Sequence, residues 1–239
     1  MKKYLSFCLM LLVVLIPVGG SVHAYDVKFV WSIEIEGLPE IPLDNYTMTE
    51  GETFQWQAID IPLPYQAIAS DYWEALGASS ITVSTGATHQ DVTIWITIQP
   101  GVTEIFGRPV AITLQFDVYD GIVPDNSVEG LTLLNPEGEH FYFDRSDGLI
   151  LYFDISEQFE ERFLTPLGLT REGLTLAFAE EGQFTLEGIR VTATTEGGLI
   201  TGLTGEISHL STLVIVQEDA VMPTAAKSAT WAKVKALYR

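Results

Sequence analysis

The sequence has a single cysteine, Cys8, and it lies in an apolar N-terminal stretch, so the rest of the chain has no thiol for a disulfide, a thiolate metal site or a catalytic nucleophile. At roughly 190 residues, the body between the two termini is long enough to bury a sizeable core without such staples. Basic residues are scarce as well, with 32 Asp plus Glu against 12 Lys plus Arg and a formal net charge of −20. Only six of the basic side chains fall between positions 25 and 217, and they form no patch, which excludes nucleic acid as a partner on electrostatic grounds. There is no Gly-x-Ser-x-Gly elbow and no glycine-rich phosphate loop. His89, His140 and His209 stand in separate strands or loops with no His-x-x-x-His pair, so the sequence lends no support to a zinc site. Carboxylates are so numerous that a glycosidase pair could be drawn almost anywhere, which makes such an assignment uninformative. No internal repeat and no low-complexity segment interrupts the body. The expectation is a non-enzyme unless the chain acts on itself.

Hydrophobic residues nevertheless make up 47% of the chain and aromatics 11%, a composition that argues for a folded body. Met1-Lys2-Lys3, an apolar stretch from Leu5 to Val18 and Val22-His23-Ala24 have the anatomy of a secretory signal peptide, with cleavage expected after Ala24. The stretch is too short to span a bilayer comfortably, and Cys8 lacks the small-residue context of a lipid-attachment site. The expected location is therefore secreted, extracellular or cell-surface, and the opening residues look bacterial. In that setting the sequon Asn45-Tyr46-Thr47 adds nothing firm.

Period-2 alternation dominates the body of the chain. Val27, Phe29, Trp31, Ile33 and Ile35 share one face while Lys28, Ser32, Glu34 and Glu36 mostly occupy the other, which predicts a half-buried strand. The pattern recurs at Val92, Ile94, Ile96 and Ile98, and again at Val110, Ile112, Leu114, Phe116 and Val118. Shorter strands are expected at 53–60, 80–85, 131–134, 140–144, 149–153, 174–178, 188–194 and 211–217. Leu213 to Val216 form an unbroken apolar run, which predicts a last strand buried on both faces. Spacings of three and four from Tyr65 to Leu76 predict a short helix, and Glu157 to Leu164 predict another helical turn or two. Many short strands separated by turn residues predict an all-β fold: an antiparallel β-sandwich, one large or two small, with one or two short helices. The organisation expected is a signal peptide over 1–24, an N-terminal β region over 25–99, a β-sandwich module over 100–217, and a linker with a basic tail over 218–239.

That tail gathers four basic and no acidic residues from Lys227 to Arg239, with Trp231, Val234, Leu237 and Tyr238 at helical spacing. Its last ten residues resemble short Trp- and Lys/Arg-containing tails of exported bacterial proteins, which implies recognition by a sorting system. A basic helix docked on the acidic body, a frayed terminus and a membrane-surface contact are the other outcomes.

Gly107-Arg108-Pro109-Val110-Ala111-Ile112-Thr113-Leu114, then Gly173-Leu174-Thr175-Leu176-Ala177-Phe178, then Ser208-His209-Leu210-Ser211-Thr212-Leu213 stand in an order that resembles extracellular β-sandwich modules of the ZU5-UPA and GAIN group. The similarity covers about residues 100–217; the stretches between these landmarks depart freely, and the cysteine pairs that flank the turn in GAIN domains are missing. In self-cleaving members the resemblance implies acyl transfer at the bond that would here be Leu210–Ser211. The Ser211 hydroxyl would attack the Leu210 carbonyl with His209 as general base, and water would resolve the ester. The plainer alternative is that His209 and Ser211 hydrogen-bond the backbone of a tight turn.

Two further features carry binding readings. Trp95 stands with Thr93 and Thr97 on the polar side of its strand, where it could stack on a sugar ring or be covered by a second layer. Asp117, Asp120, Asp125, Asp144 and Asp147 lie in acidic turns that offer oxygen ligands for calcium, although neither run has the spaced twelve-residue loop and closing Glu. Solvated turns explain the same residues, because Asp and Gly are what turns require. The function expected is a noncatalytic structural or adhesive module whose partner is a surface protein or a polysaccharide, the alternatives being a self-cleaving module and a carbohydrate-binding module.

Overall fold

The alternating apolar side chains build two facing sheets in the computed structural model, which describes residues 24–35, 38–125, 127–137 and 139–221. The expected signal peptide up to His23 and the basic tail from Met222 onward lie outside the described residues. The first half of the chain supplies β1 (Asp26–Ile33), β2 (Ile41–Thr49), β3 (Thr53–Gln55), β4 (Ser80–Val83), β5 (Val92–Gln99), the small pair β6 (Glu104–Ile105) and β7 (Arg108–Pro109), and β8 (Ile112–Asp120). The second half supplies β9 (Phe141–Tyr142), β10 (Leu149–Asp154), β11 (Leu174–Glu180), β12 (Gln183–Thr185), β13 (Ile189–Glu196), β14 (Leu199–Ile207), β15 (His209–Leu210) and β16 (Leu213–Gln217).

Seven strands form one sheet in the order β12-β11-β16-β8-β5-β1-β2, and five form the other in the order β13-β14-β10-β4-β3. β15 and β9 make a separate two-stranded ladder. Pairing is antiparallel throughout the two main sheets except between β1 and β5, which run parallel. The fold is an all-β sandwich. Its two halves are continuous: β1 lies between β2 and β5, β5 pairs with β8, and β4 pairs with β10. One hydrophobic core accordingly runs from Val27 to Ile215.

An aromatic cluster from both sheets and the helix fills the middle of that core. Trp31 of β1 meets Trp56 edge-on at 4.8 Å between ring centroids, Trp56 stacks on Trp73 at 5.9 Å, and Trp56 meets Phe153 of β10 at 5.5 Å. Trp73 belongs to α1 (Gln66–Leu76), which realises the spacing of three and four, and its indole N–H donates to the Trp56 carbonyl at 3.0 Å. The second helical stretch is also present, as α2 (Glu157–Phe159) continuing into a wider π-type turn over Glu160–Leu164, with Ser156 as its N-cap. The last strand is buried on both faces, as its apolar run predicts. Leu213 and Ile215 face the main core, whereas Val214 and Val216 join Val110, Ala177 and Phe184 in a small second cluster.

Local expectations are corrected at five places. β1 is covered on both faces, not half-buried: Lys28 and Ser32 are 1% and 0% exposed. The Lys28 ammonium donates to the carbonyls of Val123 and Asp125, so the segment after β8 closes over that face. Residues 53–60 form only a three-residue strand before turning into a short 3-10 helix at Trp56–Ala58. Residues 131–134 contribute a single bridge, Leu133 to Tyr119, instead of a strand. β2 and β14, finally, are strands that the alternation pattern does not single out.

Candidate functional site

Three polar side chains meet where β11, β15 and β9 converge. Glu180 ends β11, two residues after Phe178 and therefore on the same face. His209 opens β15, where the ladder sets it opposite Tyr142, and His140 immediately precedes β9. The Phe178 and His209 rings lie 4.6 Å apart, and the imidazole also rests against Gly188, where a side-chain carbon would fall 2.2 Å from the ring. Gly188 has φ +82°, so the backbone conformation and the space both call for glycine.

Glu180 is the hub. His209 Nε2 lies 3.1 Å from Glu180 Oε1, and His140 Nδ1 approaches the same oxygen to 3.7 Å. The last distance is beyond hydrogen-bond reach, and His140 Nδ1 is a buried nitrogen without a hydrogen-bond partner. The two imidazoles meet edge-on with centroids 4.9 Å apart. Burial pushes the Glu180 carboxyl up, but hydrogen bonds from His209 and Ser211 and the charges of His209 and His140 outweigh it and hold the group below its ordinary range. One donor atom from each of His140, Glu180 and His209 lies within 4.8 Å of the other two, the sole group of three or more such metal-type donors among the described residues.

The cluster opens into a cleft of about 350 Å³ lined by Tyr142, Glu181, Glu187 and Gly188 besides the two histidines and Glu180. A second cleft of about 500 Å³ lies on the Ser211 side and shares His140, Glu180 and Glu181. The histidines that the sequence places in unrelated elements are thus neighbours in two of three cases, which removes the sequence argument against a metal site at this place. The third, His89, pairs with Asp144 at 3.3 Å, with both side chains largely exposed.

His209 Nε2 is directed at Glu180, a carboxylate that no sequence motif marks, and Ser211 lies in the cleft that Glu180 also lines. Leu210 is fully buried and pairs with Phe141, and among the described residues no residue from Ser208 to Thr212 has a left-handed backbone. Trp95 is half-buried, and its indole N–H is shared between Ser32 Oγ and Glu40 Oε1, each at 2.9 Å. Thr97 also donates to Glu40, which makes the polar side of β5 an internal network. The five aspartates do not form a donor cluster among the described residues. Asp117 is raised by burial and by the Glu40 charge, with a hydrogen bond from Gln115 opposing. Asp120 and Asp125 accept from the backbone N–H groups of Thr132 and Ser127. Asp147 forms a two-pronged pair with Arg145 at 2.9 and 3.1 Å, and Asp144 faces His89.

Compared with known proteins, the chain matches no family model, no curated protein and no solved structure.

Proposed function

We propose that the protein is an exported, noncatalytic module of the cell surface that acts as a structural or adhesive β-sandwich. The observation that carries this reading is the single core spanning both sheets, which makes a rigid scaffold without disulfides, a form suited to work outside the cell. The signal-peptide anatomy and the resemblance of residues 100–217 to ZU5-UPA and GAIN modules support it from the sequence side. At the His209-Leu210-Ser211 turn, the candidate base His209 has its Nε2 directed at Glu180 at 3.1 Å and the Leu210 side chain is fully buried, which supports reading the turn as structure. The test is a producing strain lacking the protein, complemented with the tagged full chain. The reading expects tagged protein outside the cell, of one intact mass, and attachment to a surface or to neighbouring cells restored by complementation. Retention in the cytoplasm, attachment unaffected by the deletion, or a nick at Leu210–Ser211 abolished in Ser211→Ala overturns it.

A second reading is a polysaccharide-binding face at Trp95, favoured by this ring lying half-buried beside Glu40 and opposite Asp117 in the β5–β8 ladder. Under it, Trp95→Phe keeps retention of the full chain on an insoluble polysaccharide and Trp95→Ala loses it. Equal retention of both variants retires that face.

A further inference from the structure

We propose that His140, Glu180 and His209 form a binding site for a divalent transition-metal cation of the zinc type. The inference goes beyond the adhesive reading and does not depend on it, since a module with no partner would bind the cation equally well.

Three observations converge. The first is the donor set, two imidazole nitrogens and one carboxylate, which suits zinc, cobalt or nickel and not calcium or magnesium, whose sites are built from oxygen. The second is spacing. Donors about 2.0–2.1 Å from a tetrahedral ion sit about 3.3 Å from one another, and here the edges to Glu180 Oε1 measure 3.1 Å from His209 and 3.7 Å from His140. Across the whole set the donor atoms lie within 4.8 Å of one another, so closing the triangle on an ion draws the two imidazoles together, and His140, whose side chain is partly exposed, is the one placed to move. The third is the orphaned nitrogen. His140 Nδ1 is buried, has no hydrogen-bond partner and lies beside a carboxylate oxygen it cannot reach, an arrangement that is costly unless something bridges the pair.

The surroundings favour a cation over an anion. Glu181 and Glu187 line the same cleft, and among the described residues no lysine or arginine does. His209 packs against Phe178 and Gly188 with its side chain 7% exposed, so one ligand is held in place before any ion arrives. Binding replaces the hydrogen bond between His209 Nε2 and Glu180 Oε1 with two bonds to the metal, and the proton of that hydrogen bond leaves to solvent. Three protein ligands leave a coordination position facing the cleft.

The experiment is a titration of the full chain with Zn²⁺ by calorimetry and thermal melting, repeated with Co²⁺ for its visible absorption. The expected result is saturable binding of one equivalent, a raised melting temperature and the absorption of a cobalt ion with nitrogen ligands. His140→Ala, the most exposed ligand, is expected to weaken binding about tenfold or more while leaving the melting temperature of the metal-free protein nearly unchanged. Glu180→Gln is the second variant and is expected to weaken binding as well, and His89→Ala is the control that keeps wild-type affinity. No saturable binding, affinity unaffected by His140→Ala, or an equal loss in His89→Ala overturns the proposal, the last by showing adventitious binding to an exposed histidine.

Discussion

A side-chain carbon on Gly188 would fall 2.2 Å from the His209 ring, and the residue's φ of +82° is costly for any other amino acid. Gly188→Ala therefore carries two penalties, the left-handed backbone and the displaced imidazole, each on the order of 1–2 kcal/mol. Chemical denaturation of this variant is expected to show a loss of about 2–4 kcal/mol. A loss below about 0.5 kcal/mol, within the range of ordinary surface changes, would mean that His209 is not held where the structure places it. Part of the site is legible at the residue scale. The triplet His209-Leu210-Ser211 marks His209, and alternation puts Trp31 on an apolar face that is buried. Glu180 has no mark of its own, because one glutamate among many acidic residues carries no signal until a partner reaches it. Its link to His140 depends on the pairing of β9 with β15, two strands almost seventy positions apart in the chain, and no local pattern encodes such a pairing.

Between residue and whole molecule, hairpins set the geometry of the site. Three two-residue turns have positive φ at both positions, Phe106-Gly107, Glu181-Gly182 and Gly197-Gly198, which is the type I′ pattern suited to tightly twisted hairpins. Glycine occupies the second position in all three, but Phe106 and Glu181 occupy a first position that favours glycine or asparagine. Phe106 gains a ring contact with Phe184 at 5.5 Å between centroids. Glu181 makes no such ring contact, and it joins β11 to β12 directly beside Glu180. Glu181→Asn is expected to stabilise the protein by about 0.5–1 kcal/mol, read from the denaturation midpoint; an unchanged or lowered midpoint would show that the glutamate side chain offsets its backbone cost. The strands that alternation misses have physical reasons too. β2 carries Pro42, Asp44 and Asn45, which read as turn residues, yet at the sheet edge a proline leaves no ladder bond unmade. β14 is broken up by Gly202 and Gly205, whose missing side chains make room for Tyr152 and Leu176.

For the whole molecule, interleaving decides the behaviour. Because β1 lies between β2 and β5, and the core includes Trp31, Trp56, Phe153 and Leu176, the residues on either side of position 100 do not have separate cores. Tryptophan fluorescence and far-ultraviolet circular dichroism are expected to report one coincident unfolding transition, and two transitions would contradict a shared core. The sandwich class is readable from short alternating strands and turn residues, since burial of one face imposes that period. The parallel β1–β5 pair is not readable, because it is set by a long crossover through β2, β3, α1 and β4. The His140–Glu180–His209 site rests on the same kind of long-range placement, made by the β9–β15 ladder against the end of β11. Anomalous diffraction at the zinc absorption edge, from crystals of the full chain grown with Zn²⁺, tests that placement directly. The account predicts one peak about 2.0–2.2 Å from a donor atom of each of His140, Glu180 and His209. No peak at that position, or a peak only beside the exposed His89–Asp144 pair, would contradict it.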